Sequence, residues 1–262
     1  MNDLSRPVQV ERPAKPAAVV ADHAFVLHSI PWRETSAIAE VFAREHGRVG
    51  VVAKGAKRPR SATRSILQPF QPLAVEWLGR SEMKTLKGAE QTRILPQLKG
   101  QALMGAFYLN ELLMKLTHRE VPHEMLYDAY ESAICVLADL SRVAGGVAEV
   151  SAVLRTFEVR LLRELGFALR LTEEVDTHAP ILGERRYVYL MERGPVEASR
   201  VGQSLQESEP VELSGRTLIN MADGDYRDAQ TLVEAKALMR RIIHHLLDGR
   251  ELFTRRLARE LK

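Results

Sequence analysis

The stretch Gly47 to Arg64, GRVGVVAKGAKRPRSATR, decides how the first third of this chain folds. Val49 to Ala53 is a compact apolar run of strand length. Lys54, Lys57, Arg58, Arg60 and Arg64 follow it with no acidic residue among them. Gly55 and Pro59 deny that segment a regular helix, since glycine loses more backbone entropy there and proline lacks an amide donor. The five cations are therefore expected on a loop leaving a sheet. Like charges set so closely repel one another unless a polyanion neutralises them, so the pattern points to phosphate-backbone binding. It carries no information about base sequence.

Strand signals continue on both sides. Phe25-Val26-Leu27-His28-Ser29-Ile30 is a β-type run ended by Pro31. Residues 36–44 are ambiguous: Ala37, Ala39 and Ala43 permit helix, while Ile38, Val41 and Phe42 equally suit a strand. Leu67 to Leu78 reads as a strand whose Pro69 and Pro72 fit only an edge or a strand start. After a turn at Gly79-Arg80-Ser81, Met83 to Lys87 alternates with period two, which places Lys84 near one sheet face, while Gly88 blurs the register that would bring Lys87 there too. Five short strands within about 70 residues predict a small Greek-key barrel. Phe25, Phe42, Phe70 and Trp77 are expected mostly to fill its interior. Trp32, flanked by Pro31 and Arg33 beyond a strand end, is the candidate for stacking on a base. Arg33, Arg48, Lys84 and Lys87 are expected to assist the loop in holding phosphates.

Charge is segregated along the chain. Overall it is only +3 over 262 residues, but residues 24–93 hold 12 lysines and arginines against 6 acidic residues. Residues 94–262 hold 22 against 25. Such asymmetry is expected of a polyanion-binding module joined to a neutral or acidic one. No basic amphipathic helix with a bulky apolar face accompanies the cations, which ranks a membrane surface below nucleic acid. No apolar run approaches the roughly 20 residues of a membrane span. Residues 1–22, interrupted by Pro7, Pro13 and Pro16, are expected to be a disordered leader without a signal-peptide core. The single cysteine, Cys135, reads as a small buried hydrophobe; one thiol makes neither an internal disulfide nor a cysteine zinc site. A cytoplasmic protein follows as the expectation.

From Gly100 the apolar period becomes helical. Residues 101–118 are apolar nearly all round, and Pro122 can open a second helix reaching about Leu140. Leu154, Phe157, Leu161 and Leu165 share a face of a third, with Gly166 as its C-terminal cap. Tyr187 to Leu190 reads as a strand and Gly194-Pro195 as a turn. Leu232, Ala235, Met239, Ile242, Ile243 and Leu246 form the stripe of a last long helix between Asp228 and Gly249. The fold class expected is α+β: an N-terminal barrel over residues 23–96, then a mainly helical domain over 97–262 with a small irregular or β insertion near 170–215.

Signals for catalysis are weak. His244 and His245 are adjacent and point to different helix sides, unlike metal ligands at i, i+4. Asp223-Gly224-Asp225 lacks the spaced carboxylates of a calcium loop. No GxxxxGK[ST] phosphate loop is present. The expectation is a binding protein with neither catalytic residue, metal nor cofactor. A nuclease and an RNA-binding barrel protein of RNA metabolism remain as alternatives, which cleavage and competition assays separate.

An ordered set of short matches then resembles one family, the bacterial DNA repair protein RecO. It comprises Phe25 to Ser29 with Glu34-Thr35-Ser36, Gly47-Arg48-Val49 with Val52 to Ala56, Leu67-Gln68-Pro69-Phe70, Lys84-Thr85-Leu86 with Glu90, and Asn110 to Leu113. Leu154-Arg155 with Phe157-Glu158, Leu161-Leu162 with Leu165-Gly166-Phe167, and Arg250 to Phe253 complete it. The resemblance implies an OB-fold followed by a helical domain. It implies a recombination mediator that binds single- and double-stranded DNA and anneals complementary strands without ATP. It also implies work with RecR, and in many bacteria RecF, in loading RecA onto strands coated by the single-stranded-DNA-binding protein, hence association with the nucleoid. Many relatives carry a four-cysteine zinc motif after the stretch matching Leu165-Gly166-Phe167. Residues 168–200 contain no cysteine, so the chain resembles the zinc-free branch. The family's helical domain accepts the acidic C-terminal tail of the single-stranded-DNA-binding protein, and Arg155 is the candidate for holding the tail's carboxylate, the alternative being a helix-surface arginine paired with Glu158 or nearby acids.

Overall fold

The computed structural model describes residues 19–56, 58, 61, 66–143, 146–201 and 210–260. Most of the expected leader lies outside that range, and the first strand begins at Val20, inside the span assigned to the leader. Strands β1 (Val20–Trp32), β2 (Ser36–Ala43), β3 (Gly47–Ala53), β4 (Pro72–Leu78) and β5 (Met83–Gln91) close a barrel in the order β1-β2-β3-β5-β4. All pairings are antiparallel except β3 with β5. Residues 36–43 settle as strand because both β1 and β3 pair with them. Pro72 opens β4, where a missing amide does no harm, and Phe70, with φ at +68°, keeps Pro69 out of that strand.

The barrel interior is small and aliphatic. Val26, Val41, Val49, Val51, Leu73, Val75 and Leu86 surround Trp77 there. Phe25, Phe42 and Phe70 are not among them, which corrects the expected filling. Side chains alternate along β1, so Ala24 and Val26 point inward while Phe25 and Leu27 point out. The outward rings are buried by the helices instead. Phe25 and Phe42 meet Tyr127 and Tyr130 with centroids 5.2–6.1 Å apart. Burial of both strand faces explains why Ala24 to Leu27 is an unbroken apolar run.

Those tyrosines belong to α2 (Glu124–Arg142), which packs with α1 (Gly100–Leu116) and α3 (Val147–Glu164) into a core continuous with the barrel's outer face. Gly166 follows α3 with φ at +85°, in keeping with the expected cap. The insertion is a three-stranded sheet, β6 (Arg186–Leu190), β7 (Gly194–Glu197) and β8 (Val211–Ser214), in the order β7-β6-β8. Gly194-Pro195, read as a turn, thus begins a strand, a difference that only pairing with Tyr189 and Leu190 decides. Helix α4 (Gly215–Asp223) gave no clear sequence signal. Its start is anchored by Glu234 of α5 (Ala229–Leu246), whose carboxylate accepts from Ser214 N at 2.8 Å and Thr217 Oγ1 at 2.6 Å. Partial burial opposes that charge, but these bonds and Arg186 hold the Glu234 carboxyl down to about 2. The final helix, α6 (Phe253–Glu260), is seated by Glu111 of α1, which accepts from the amides of Phe253 and Thr254 at 2.7 and 2.9 Å. No helix among the described residues is long and apolar enough to cross a membrane.

Candidate nucleic-acid interface

A bulge divides β1 into two parts. Val26 pairs with Val41 and His28 with Glu40, leaving Leu27 unpaired. Its carbonyl accepts from Asn110 Nδ2 of α1 at 2.8 Å, and Asn110 Oδ1 accepts from Tyr130 at 2.6 Å. Up to this point β1 is clamped by helices. Beyond it, His28 to Thr35 are all exposed, so the β1–β2 hairpin projects freely.

Residues paired across strands share a face, and the register therefore reads as rows. Ile30, Ile38, Val52 and Thr85 form one row. Trp32 pairs with Ser36, and continuing the registers from Ala37–Ala53 and Val52–Thr85 brings Lys54 and then Lys87 abreast of them. Every member of both rows is exposed or half-buried, while the alternating Ala39, Val51, Ala53 and Leu86 are buried. One barrel face thus carries an indole that is 45% exposed, aliphatic side chains and two lysines. Arg33 in the β1–β2 turn and Arg58 just beyond Lys54 add charge at the same end. None of Arg33, Lys54, Arg58 or Lys87 is paired with a described residue. Stacking surface bordered by unneutralised cations is the arrangement that holds a single polynucleotide strand. Period-two alternation was the available signal for Ile30, Ile38 and Val52, which the charge pattern alone passed over.

The opposite end of this face is closed. Glu40 is buried and accepts from Arg119 Nε and Nη2 at 2.9 and 2.7 Å, with Arg48 Nε at 3.5 Å. The hydrogen bonds that Arg119 donates to Glu40 raise its pKa above the ordinary value.

Three of the expected binding residues are corrected here. Arg48 is turned inward, donating from Nη1 and Nη2 to the carbonyls of Met114 and Thr117 at 2.8 and 2.9 Å, where it satisfies the C-terminus of α1. Burial lowers its pKa, against the opposing pull of Glu40. Lys84 shares the buried parity of Leu86 rather than the face of Lys87, and its ammonium is 2.7 Å from Glu120 and 2.8 Å from the Ser81 carbonyl. Arg155 is 5% exposed and bonded from Nε to Glu158 Oε2 at 2.6 Å. Each guanidinium or ammonium already has its anion or carbonyl, so none presents a free charge to a ligand. Lys57, Arg60 and Arg64 lie outside the described residues.

The helical region carries an apolar groove of about 1060 Å³ between α2 and α3. Met125, Ala129, Val136, Ala152 and Val153 line it, with Arg160 and Arg227 and the carboxylates of Asp128, Glu149, Asp223 and Asp225 also in its lining. Arg155 is not part of its wall. Among the described residues no group of three or more His, Cys, Asp or Glu side chains is placed to hold a metal. Cys135 is half-buried and accepts from Arg93 Nη2 at 2.9 Å; burial pushes its thiol pKa up.

Comparison with known proteins agrees with this architecture on both sides of the junction. Residues 18–95 match the family model for the N-terminal part of recombination protein O, and residues 97–255 match that for its C-terminal part. The chain is 46% identical over 239 residues to the DNA repair protein RecO of Aromatoleum aromaticum, covering 91% of this chain and 95% of that protein. It is likewise 46% identical over 243 residues to that of Nitrosospira multiformis, covering 92% and 96%. To that of Burkholderia pseudomallei it is 42% identical over 261 residues, covering 98% and 90%. A five-stranded barrel leading into a helical region, matched by both family models across nearly the whole chain, makes this protein a member of the RecO family of DNA repair and recombination proteins.

Proposed function

We propose that this chain is a recombination mediator that holds single-stranded DNA on the outer face of β1, β2, β3 and β5 and anneals it to a complementary strand without ATP. The observation that carries this reading is the exposed row of Trp32, Lys54 and Lys87, with Arg33 and Arg58 beside it and no protein counter-ion among the described residues. Cations on the backbone screen repulsion between two strands, and a stacked base at Trp32 fixes one strand while its other bases stay open to pair. Lys57, Arg60 and Arg64 extend the same charge run in sequence and are proposed to join it. The triple variant Lys54→Glu, Arg58→Glu, Lys87→Glu is expected to bind single strands at least about tenfold more weakly. Its plot of log affinity against log salt should be shallower by about 2, at about 0.7 per lost phosphate contact. An unchanged slope overturns the assignment.

The partners implied are RecR, RecA, in many bacteria RecF, and the acidic tail of the single-stranded-DNA-binding protein. With Arg155 bonded to Glu158, the tail's apolar side chains are better accommodated by the α2–α3 groove; Arg160 and Arg227 in its lining are paired with Glu164 and Asp225 and would exchange those partners for the tail's carboxylate. Met125 is 55% exposed in that wall, so Met125→Glu should leave the fold intact. It is expected to weaken binding of a labelled tail peptide about tenfold or more, because a carboxylate is set against an acidic ligand. Unchanged peptide affinity removes the groove from this role. Annealing of strands pre-coated with the cognate single-stranded-DNA-binding protein, without nucleotide, tests the whole proposal.

A further inference from the structure

Helix α5 carries a second cationic surface on the side away from its buried stripe. Lys236, Arg240 and His244 follow one another at intervals of four residues, so they stand one above the other on a single face. They line a cleft of about 780 Å³ whose far wall comes from the α5–α6 connection and α6, through Arg250 and Arg255. Arg241 also borders it. The acidic groups in its lining are Glu212 and Glu251, and both are engaged: Glu212 with Arg186 at 2.8 Å, Glu251 with Arg259.

Many arginines elsewhere are neutralised within the fold, whereas this cleft, like the barrel face, keeps cations without a counter-ion among the described residues. Arg44, Arg93, Arg119, Arg160, Arg186 and Arg227 each have an acidic partner within 3.2 Å. Lys236, Arg240 and Arg250 have no side-chain partner among the described residues. Like charges one helical turn apart repel, and a cleft with low-dielectric walls focuses the resulting potential. The Val233 side chain, 70% exposed, offers apolar surface within the same cleft. The ligand chemistry that matches is a chain of phosphates with apolar rings attached, not an isolated anion.

We infer that the cleft between α5 and α6, through Lys236, Arg240 and Arg250, binds the phosphate backbone of a second polynucleotide strand. The assignment deepens the annealing reading and rests on it only in supposing that the chain handles polynucleotides; the barrel face is not needed for the cleft to bind. Two separate cationic surfaces let one molecule hold two strands at once, which a single loop does only by crowding their charges together.

The test uses the full chain and a fluorescently labelled oligothymidylate, with and without a complementary oligoadenylate. The variant Lys236→Glu, Arg240→Glu alters exposed, unpartnered side chains, and Lys236→Gln, Arg240→Gln checks that charge rather than shape is responsible. At tight-binding concentrations the Glu variant is expected to lose binding of a second strand while retaining the first. Its salt slope should become shallower by about 1.4, at about 0.7 for each of two contacts, and its annealing rate should fall about tenfold. The Gln variant should show an intermediate loss. Unchanged stoichiometry, slope and annealing in the Glu variant overturn the inference, whatever the barrel variants do. Loss in the Glu variant together with normal binding by the Lys54, Arg58 and Lys87 variant would instead uphold the cleft and overturn the barrel reading.

Discussion

Replacing Gly47 with alanine destabilises this protein by more than about 3 kcal/mol, although the residue touches no ligand. Gly47 begins β3 with φ at +66°, and a Cβ built there lies 1.9 Å from the Val121 carbonyl oxygen and 2.6 Å from its carbon. Both obstacles are backbone, so no side chain can swing aside. The close approach is enforced by neighbours. Arg48 caps the end of α1, and the Glu120 amide donates to the Arg48 carbonyl at 2.8 Å. A shift of Gly47 would therefore loosen the joint between barrel and helices. Chemical denaturation of Gly47→Ala measures the effect, and a loss below about 1 kcal/mol contradicts this account of the joint. Gly47-Arg48-Val49, prominent in the family resemblance, thus helps to join the barrel to the helices.

Removal of Arg155 is expected to cost about 3–5 kcal/mol, because Glu158 would stay buried without its counter-charge. Burial alone would lower the Arg155 pKa, but the Glu158 carboxylate beside it outweighs that and keeps the guanidinium charged. Glu158 also accepts from Tyr108 of α1 at 2.5 Å, and Tyr108 accepts from Arg255 of α6 at 3.2 Å. The pair thus ties α3 to α1 and α6 at the centre of the helical region. Thermal unfolding of Arg155→Ala should show a large drop in Tm. The double replacement Arg155→Met, Glu158→Leu should recover much of it, since no orphaned charge remains. If Arg155→Ala melts like the parent, the pair is not a structural element. Loss of tail binding in Arg155→Ala would, on this account, report a weakened fold, which is why Met125→Glu is the cleaner probe of the groove.

Much of the fold was legible locally. The Val49 to Ala53 strand, the turn at Gly79, the long helices and the Asp228 cap are set by short-range pattern, and the structure follows each of them. Lys54 and Arg58 were legible as exposed cations because glycine and proline around them bar regular structure. Arg48, Lys84 and Arg155 were misread for a common reason. A charged residue flanked by apolar ones looks the same in sequence whether it faces water or a buried anion, and Glu40, Glu120 and Glu158 became partners only through packing. Arg155 and Glu158 stand three residues apart, so their contact could be anticipated, yet burial beneath α1 could not.

By itself the order of residues determined a basic strand-rich first third, a helical remainder and a run of cations with no local acids, since each follows from propensity and spacing within a few residues. Tertiary structure alone decided which cations remain free. It turned Phe25 and Phe42 outward onto Tyr127 and Tyr130, consumed Arg48 at a helix end, and left Lys54 and Lys87 exposed. The physical reason is that charge availability depends on where the opposite charge lies in space, and that is a long-range property of packing.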